Sequence, residues 1–144
     1  MRSESRRRAQ LLDRCWSVYS WLTDAFTLPE TFHIEFPVAA EATLLTGALH
    51  VVVPLTNQLT LSLREEYALG GQDLEIRRYS YNVIDYTGNN LLRADNLPHH
   101  RTDYHGRVLS QPPHHMHDER GRVRSFTGQL QDFIKYAKNL LLPV

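Results

Sequence analysis

The sequence predicts an α+β fold, an antiparallel β-sheet meander packed by an N-terminal and a C-terminal helix. Three observations carry this reading. Apolar residues recur at helical spacing near both ends, over residues 4–26 and 128–142. Between these segments the period changes to two, as at Leu59, Leu61 and Leu63. The connections between alternating segments are short, which favours antiparallel neighbours. At 144 residues the chain has the length of one domain, 1–144. Its expected parts are an N-terminal helix (1–28), a sheet (31–97), a histidine-rich loop (98–124) and a C-terminal helix (128–142).

In the first helix Leu11, Cys15, Val18, Leu22 and Ala25 form the stripe, with Leu12, Trp16 and Tyr19 widening it, and Pro29 lies beyond the end. Phe32, Ile34 and Phe36 then alternate with Thr31, His33 and Glu35 before Pro37. Residues 43–53 read as a strand ending in Val51-Val52-Val53, and residues 54–57 as a turn. Thr60, Ser62 and Arg64 alternate with the leucines of the next strand, and Gly70-Gly71 marks a turn after it. Over residues 75–86 one face carries Arg77, Tyr79, Tyr81 and Val83, and the other Ile76, Arg78, Ser80, Asn82 and Ile84. Thr87-Gly88-Asn89-Asn90 suits a hairpin turn, because Gly and Asn tolerate positive φ. Residues 91–96 return as a strand. The stretch 98–121 has no steady period and reads mostly as loop. In the last helix Leu130, Phe133, Ile134, Ala137 and Leu141 form the apolar stripe, capped by Thr127 or Ser125.

Charge and composition narrow the function. Sixteen basic and 16 acidic residues give a formal charge of zero, which argues against a protein that holds nucleic acid by bulk positive charge. No apolar run approaches a membrane span. The start is too polar for a signal peptide, and the single cysteine, Cys15, permits no intrachain disulfide. The expected location is the cytoplasm. No glycine-rich phosphate loop follows a predicted strand, so no nucleotide cofactor is implied.

The chemistry concentrates where the histidines do. Six of the 8 histidines lie between residues 99 and 117, five of them in the elements Asp95-Asn96-Leu97-Pro98-His99-His100 and Pro113-His114-His115-Met116-His117. Histidine exchanges protons near neutrality and ligates metals. If residues 113–117 are extended, His115 and His117 share one side and His114 takes the other. His99 and His100 point apart by the same reasoning. A site then gathers one of that pair with His115 and His117. Asp95 can fix a histidine tautomer, or close its own strand through backbone bonds. Arg78 and Arg93 are phosphate-binding candidates. Tyr79 and Tyr81 can stack on bases, although strand-spaced tyrosines more often pack.

These elements resemble the TumE family of toxin–antitoxin toxins. The resemblance runs over about residues 43–124, through Arg78-Tyr79-Ser80-Tyr81, the turn at 85–90, Leu92-Arg93-Ala94-Asp95-Asn96-Leu97-Pro98-His99-His100 and Pro113-His114-His115-Met116-His117. It departs at Ala94, where an aromatic is common, at Met116, where a lysine is common, and in a longer gap between His100 and Pro113. It implies a growth-inhibiting toxin held by a cognate antitoxin.

The residues leave three functions open. The first is a metal-independent ribonuclease acting on RNA, with His100, His115 and His117 as proton carriers, His99, His114 and Asp95 as further catalytic candidates, and Arg78 or Arg93 on the phosphate. No cofactor is expected in that case. The second is a metal-dependent hydrolase holding a divalent transition metal such as zinc on His115, His117 and His100. The third is a non-catalytic toxin that binds a host protein through Leu140-Leu141-Leu142 or the region around Val51.

Overall fold

A computed structural model describes residues 4–30, 32–36, 38–40, 45–69 and 73–141. Two helices and one antiparallel sheet make up the fold. The helices are α1 (Glu4–Ala25) and α2 (Leu130–Leu141). The strands are β1 (His33–Glu35), β2 (Val38–Ala40), β3 (Leu45–Pro54), β4 (Thr60–Leu69), β5 (Glu75–Ile84), β6 (Asn90–Asp95), β7 (His115–His117) and β8 (Val123–Ser125). From β3 onward each strand pairs with the next, and β1 and β2 both pair with β3. Pro37, residues 43–44, Gly70-Gly71, Thr31 and Leu142 lie outside the described residues.

The antiparallel sheet with a helix at each end matches the period change in the sequence. The sheet is larger than the one expected over residues 31–97. The stretch 98–124 is mostly without regular structure, but it holds β7 and the start of β8, which extend the sheet beyond β6. Each is only three residues long, too short for an alternation to register. Asp118 supports their hairpin instead. Its carboxylate accepts the Arg120 and Arg122 backbone N–H groups at 3.0 Å each and the Arg124 Nε at 2.7 Å. The loop ahead of β7 is also ordered. Asp103 N–H donates to the Arg107 carbonyl, Leu109 is buried, and Ser110 N–H donates to Ser125 Oγ. That last bond shows that Ser125 holds the loop rather than capping α2. Thr127 serves the helix start, with its Oγ accepting the Gln129 N–H at 3.2 Å.

One sheet face and the helices enclose the core. Leu49, Val51 and Val53 of β3, Leu61 and Leu63 of β4, Tyr79, Tyr81 and Val83 of β5, and Leu92 and Ala94 of β6 are buried there with Leu11, Val18, Leu22, Phe133 and Ala137. Val51 is fully buried, so its own side chain belongs to the core. Leu12, Trp16 and Tyr19 do not widen the buried stripe of α1, because they are exposed on its outer side. Tyr79 and Tyr81, proposed above as a stacking platform, are at most 3% exposed. They stack on each other at 4.6 Å, Tyr81 meets Phe133, and no base can reach either ring.

Among the described residues one acid lies in the core. Glu65 stands on the apolar face of β4 between Leu63 and Tyr67, where it accepts two bonds from Arg14 of α1, at 3.0 and 2.7 Å. The Tyr67 hydroxyl donates to it at 2.5 Å, and the Tyr81 hydroxyl donates to the other oxygen. Burial opposes the charge on Arg14, but the bonds and the charge of Glu65 outweigh it and raise the guanidinium pKa. Burial and the same carboxylate push both tyrosines well above the ordinary phenol range. The result is a satisfied polar tie between helix and sheet.

Candidate functional site

The site follows from strand alternation. Across β5, β6, β7 and β8, the row Tyr81, Ala94, Met116, Arg124 pairs in register, and its first three members are buried toward the helices. The rows on either side must face the other way. They are Ser80, Asp95, His115, Ser125 and Asn82, Arg93, His117, Val123. Met116 is therefore a core residue opposite Ala94, and its flanking histidines face away from the core.

The segment after β6 brings His99 and His100 over the same face. Their rings lie 4.3 Å apart rather than diverging, so both join the site where one was expected. His99 and His100 approach His115 at 5.0 and 4.9 Å, and His100 approaches His117 at 5.1 Å. One ring nitrogen from each of His99, His100, His115 and His117 lies within 4.8 Å of the others. His115 is fully buried beneath the cluster, while His99 is exposed at its rim. Burial lowers the pKa of His100 and of His117, and the neighbouring histidines add to the effect in each.

Asp95 takes the second of its two expected roles and closes its own strand. One oxygen accepts the Leu97 N–H at 3.0 Å and lies 3.3 Å from His115 Nε2 without a hydrogen bond to it. The other accepts from Arg93 Nε at 3.1 Å. Arg93 thus stands beside His117, its register partner. Arg78 is not at the cluster. It lines a neighbouring cleft of about 360 Å³ on the same face, with His50, Arg64, Glu66 and Ser80. His114 is not at the cluster either. It stacks on Tyr79 at 5.6 Å, shares a 2.9 Å hydrogen bond with the Tyr79 hydroxyl and closes on Gly128. A Cβ at position 128 would sit 2.7 Å from that ring, and the glycine also has a φ of +82°. His114 is a packing residue, on the side that alternation assigns to it.

Two features escaped the sequence reading. Arg64 and His50 extend the polar row from Ser80 across β4 and β3, visible only once the register is known. Asn96 bonds both the Tyr79 N–H and the Arg77 carbonyl, at the bulge where β5 falls out of step with β4. The bulge turns Ile76 toward the core, away from the face it shares with Arg78 in a regular strand.

A family model described as Toxin TumE matches residues 24–141, a span that includes every strand and both histidine elements. No curated protein and no solved structure matches the chain.

Proposed function

Because the chain belongs to the TumE toxin family, and so is a toxin of a toxin–antitoxin system with a cognate antitoxin as partner, we propose that it acts by cleaving RNA at the histidine cluster. The observation that carries this reading is the convergence of four imidazoles beside Arg93 on an open polar sheet face. Hydrolysis of a phosphodiester needs an activated attacking oxygen and positive charge for the phosphoryl oxygens. The imidazoles serve the first need. The guanidinium N–H groups of Arg93 that Asp95 leaves free serve the second. Arg64 and Arg78 on the same face offer places for flanking phosphates.

Two chemistries can activate the attacking oxygen here. A neutral imidazole can take its proton, with a second histidine protonating the leaving oxygen, or the imidazoles can hold a cation that binds it. An acid–base pair must stand on opposite sides of the phosphorus. Four rings gathered on one small volume suit the second arrangement better. Among the described residues no helix is long and apolar enough to cross a membrane.

Purified protein incubated with total RNA is expected to give discrete cleavage products. Arg93→Ala, correctly folded, should slow cleavage by about 10²-fold or more. Intact RNA after incubation with protein that arrests growth would overturn the reading in favour of a host-protein target.

A further inference from the structure

The protons of His115 are fixed by its surroundings. Its Nδ1 lies 3.0 Å from the Pro113 carbonyl oxygen, which can only accept, so Nδ1 carries the hydrogen and donates it. That leaves Nε2 with its lone pair in the neutral ring. This nitrogen is buried and has no hydrogen-bond partner. Asp95 Oδ1 is 3.3 Å away but without hydrogen-bond geometry, and it already accepts the Leu97 N–H. Two acceptors facing each other out of water need a positive charge nearby.

The rest of the cluster is built to hold one. One nitrogen from each of four rings lies within 4.8 Å of the others. Tetrahedral ligands at zinc–nitrogen distances of about 2.0–2.1 Å stand about 3.3 Å apart, so a small inward shift of the two loop rings closes the set. The Nδ1–H bond to a backbone carbonyl is the usual way a ligating histidine is oriented. Four imidazoles with no carboxylate among them suit zinc, cobalt, nickel or copper rather than magnesium or calcium.

We propose that His100, His115 and His117, with the exposed His99 as the fourth and most exchangeable ligand, bind one divalent transition-metal ion of the zinc class. A water in place of His99 supplies the nucleophile for the RNA reading above. Its hydroxide adds to phosphorus, the ester P–O bond breaks, and the water's proton passes to the leaving oxygen. Only this last step rests on that reading, because binding of the ion is measured without RNA.

Protein prepared without a polyhistidine tag, stripped with a chelator and titrated with Zn²⁺ or Co²⁺, tests the site. One equivalent should bind per chain. Cobalt should show the visible absorption of a four-coordinate nitrogen site, and Tm should rise with the ion. His100→Ala and His117→Ala, checked for folding by circular dichroism, should weaken binding at least about tenfold. His99→Ala should weaken it less. Folded wild-type protein that binds no ion at micromolar concentration overturns the proposal, as do His100→Ala and His117→Ala variants that bind like the wild type. Stoichiometric binding with no RNA cleavage would uphold the metal site and remove the RNA reading. Cleavage by protein that binds no ion would do the reverse.

Discussion

At the scale of single residues, adjacent histidines have opposite roles. His114 and His115 are neighbours in sequence, yet His114 bonds Tyr79 on the core side and His115 underlies the cluster on the other. The distinction makes a sharp prediction. His117→Ala should remove growth arrest, with cleavage slowed about 10²–10⁴-fold, while thermal unfolding of the metal-free protein stays close to that of metal-free wild type. His114→Ala should behave in the opposite sense. It deletes a ring packed on Tyr79 and Gly128, so it should lower the unfolding midpoint and leave the rate per folded molecule unchanged. Measuring both quantities in both variants checks the assignment, and a folded His117→Ala protein with full toxicity would refute it.

At the scale of elements, two ties differ in how they respond to change. Arg14 of α1 reaches into the sheet to the buried Glu65. Arg14→Ala leaves that carboxylate with two phenol donors and no counter-charge, so denaturant unfolding should show a loss of about 3 kcal/mol. The β5–β6 turn responds to pH instead. The Thr87 hydroxyl and the backbone N–H groups of Asn89, Thr87 and Gly88 hold the Asp85 carboxyl below its ordinary value. Its contribution is therefore present above the unfolded pKa of about 4 and is lost as pH falls through the lower folded value. Protection against amide exchange at Gly88 and Asn89, corrected for the intrinsic rate at each pH, should fall on acidification below pH ~4, and Asp85→Asn should remove that dependence. The same elements show what could be read beforehand. Long, strongly periodic segments such as α2 and β4 were legible, because burial of one face writes a period into ten or more residues. Strands β7 and β8 were not, since three residues hold no period and their stability comes from Asp118 and its arginines. In the candidate site, the side shared by His115 and His117 followed from alternation alone. The convergence of both His99 and His100 did not, because it depends on the path of the segment after Asp95. Glu65 carried a signal in the sequence, a lone acid at an apolar position of a strand, and its partner Arg14 lies at helical spacing from Leu11 and Val18.

At the scale of the whole molecule, a formal charge of zero means that any hold on a polyanion is local. Arg64, Arg78 and Arg93 on one face give only a few phosphate contacts, which suits a substrate that is bound, cut and released. Expression of the chain alone should slow bacterial growth, and co-expression of its antitoxin should restore it. Colony counts and growth curves at matched soluble expression check this. Normal growth in several hosts would contradict the toxin role in this chain.

The pairing of Ala94 with Met116, and of Asp95 with His115 one step along, has a consequence for how such a sequence can change its length. A single residue gained or lost inside β6 or β7 would exchange the two faces, carrying imidazoles into the hydrocarbon interior and Met116 out to water. Fold and chemistry would fail together, so these short strands tolerate substitution but not a change of frame. The stretch between His100 and His114 is under no such constraint. Its small hairpin around Asp103 is fastened at Tyr104, Leu109 and Ser110 and projects His105 and Val108 outward. Lineages of this fold are free to lengthen there, and the tip of that hairpin is the place to graft an epitope or a fluorophore without disturbing either face.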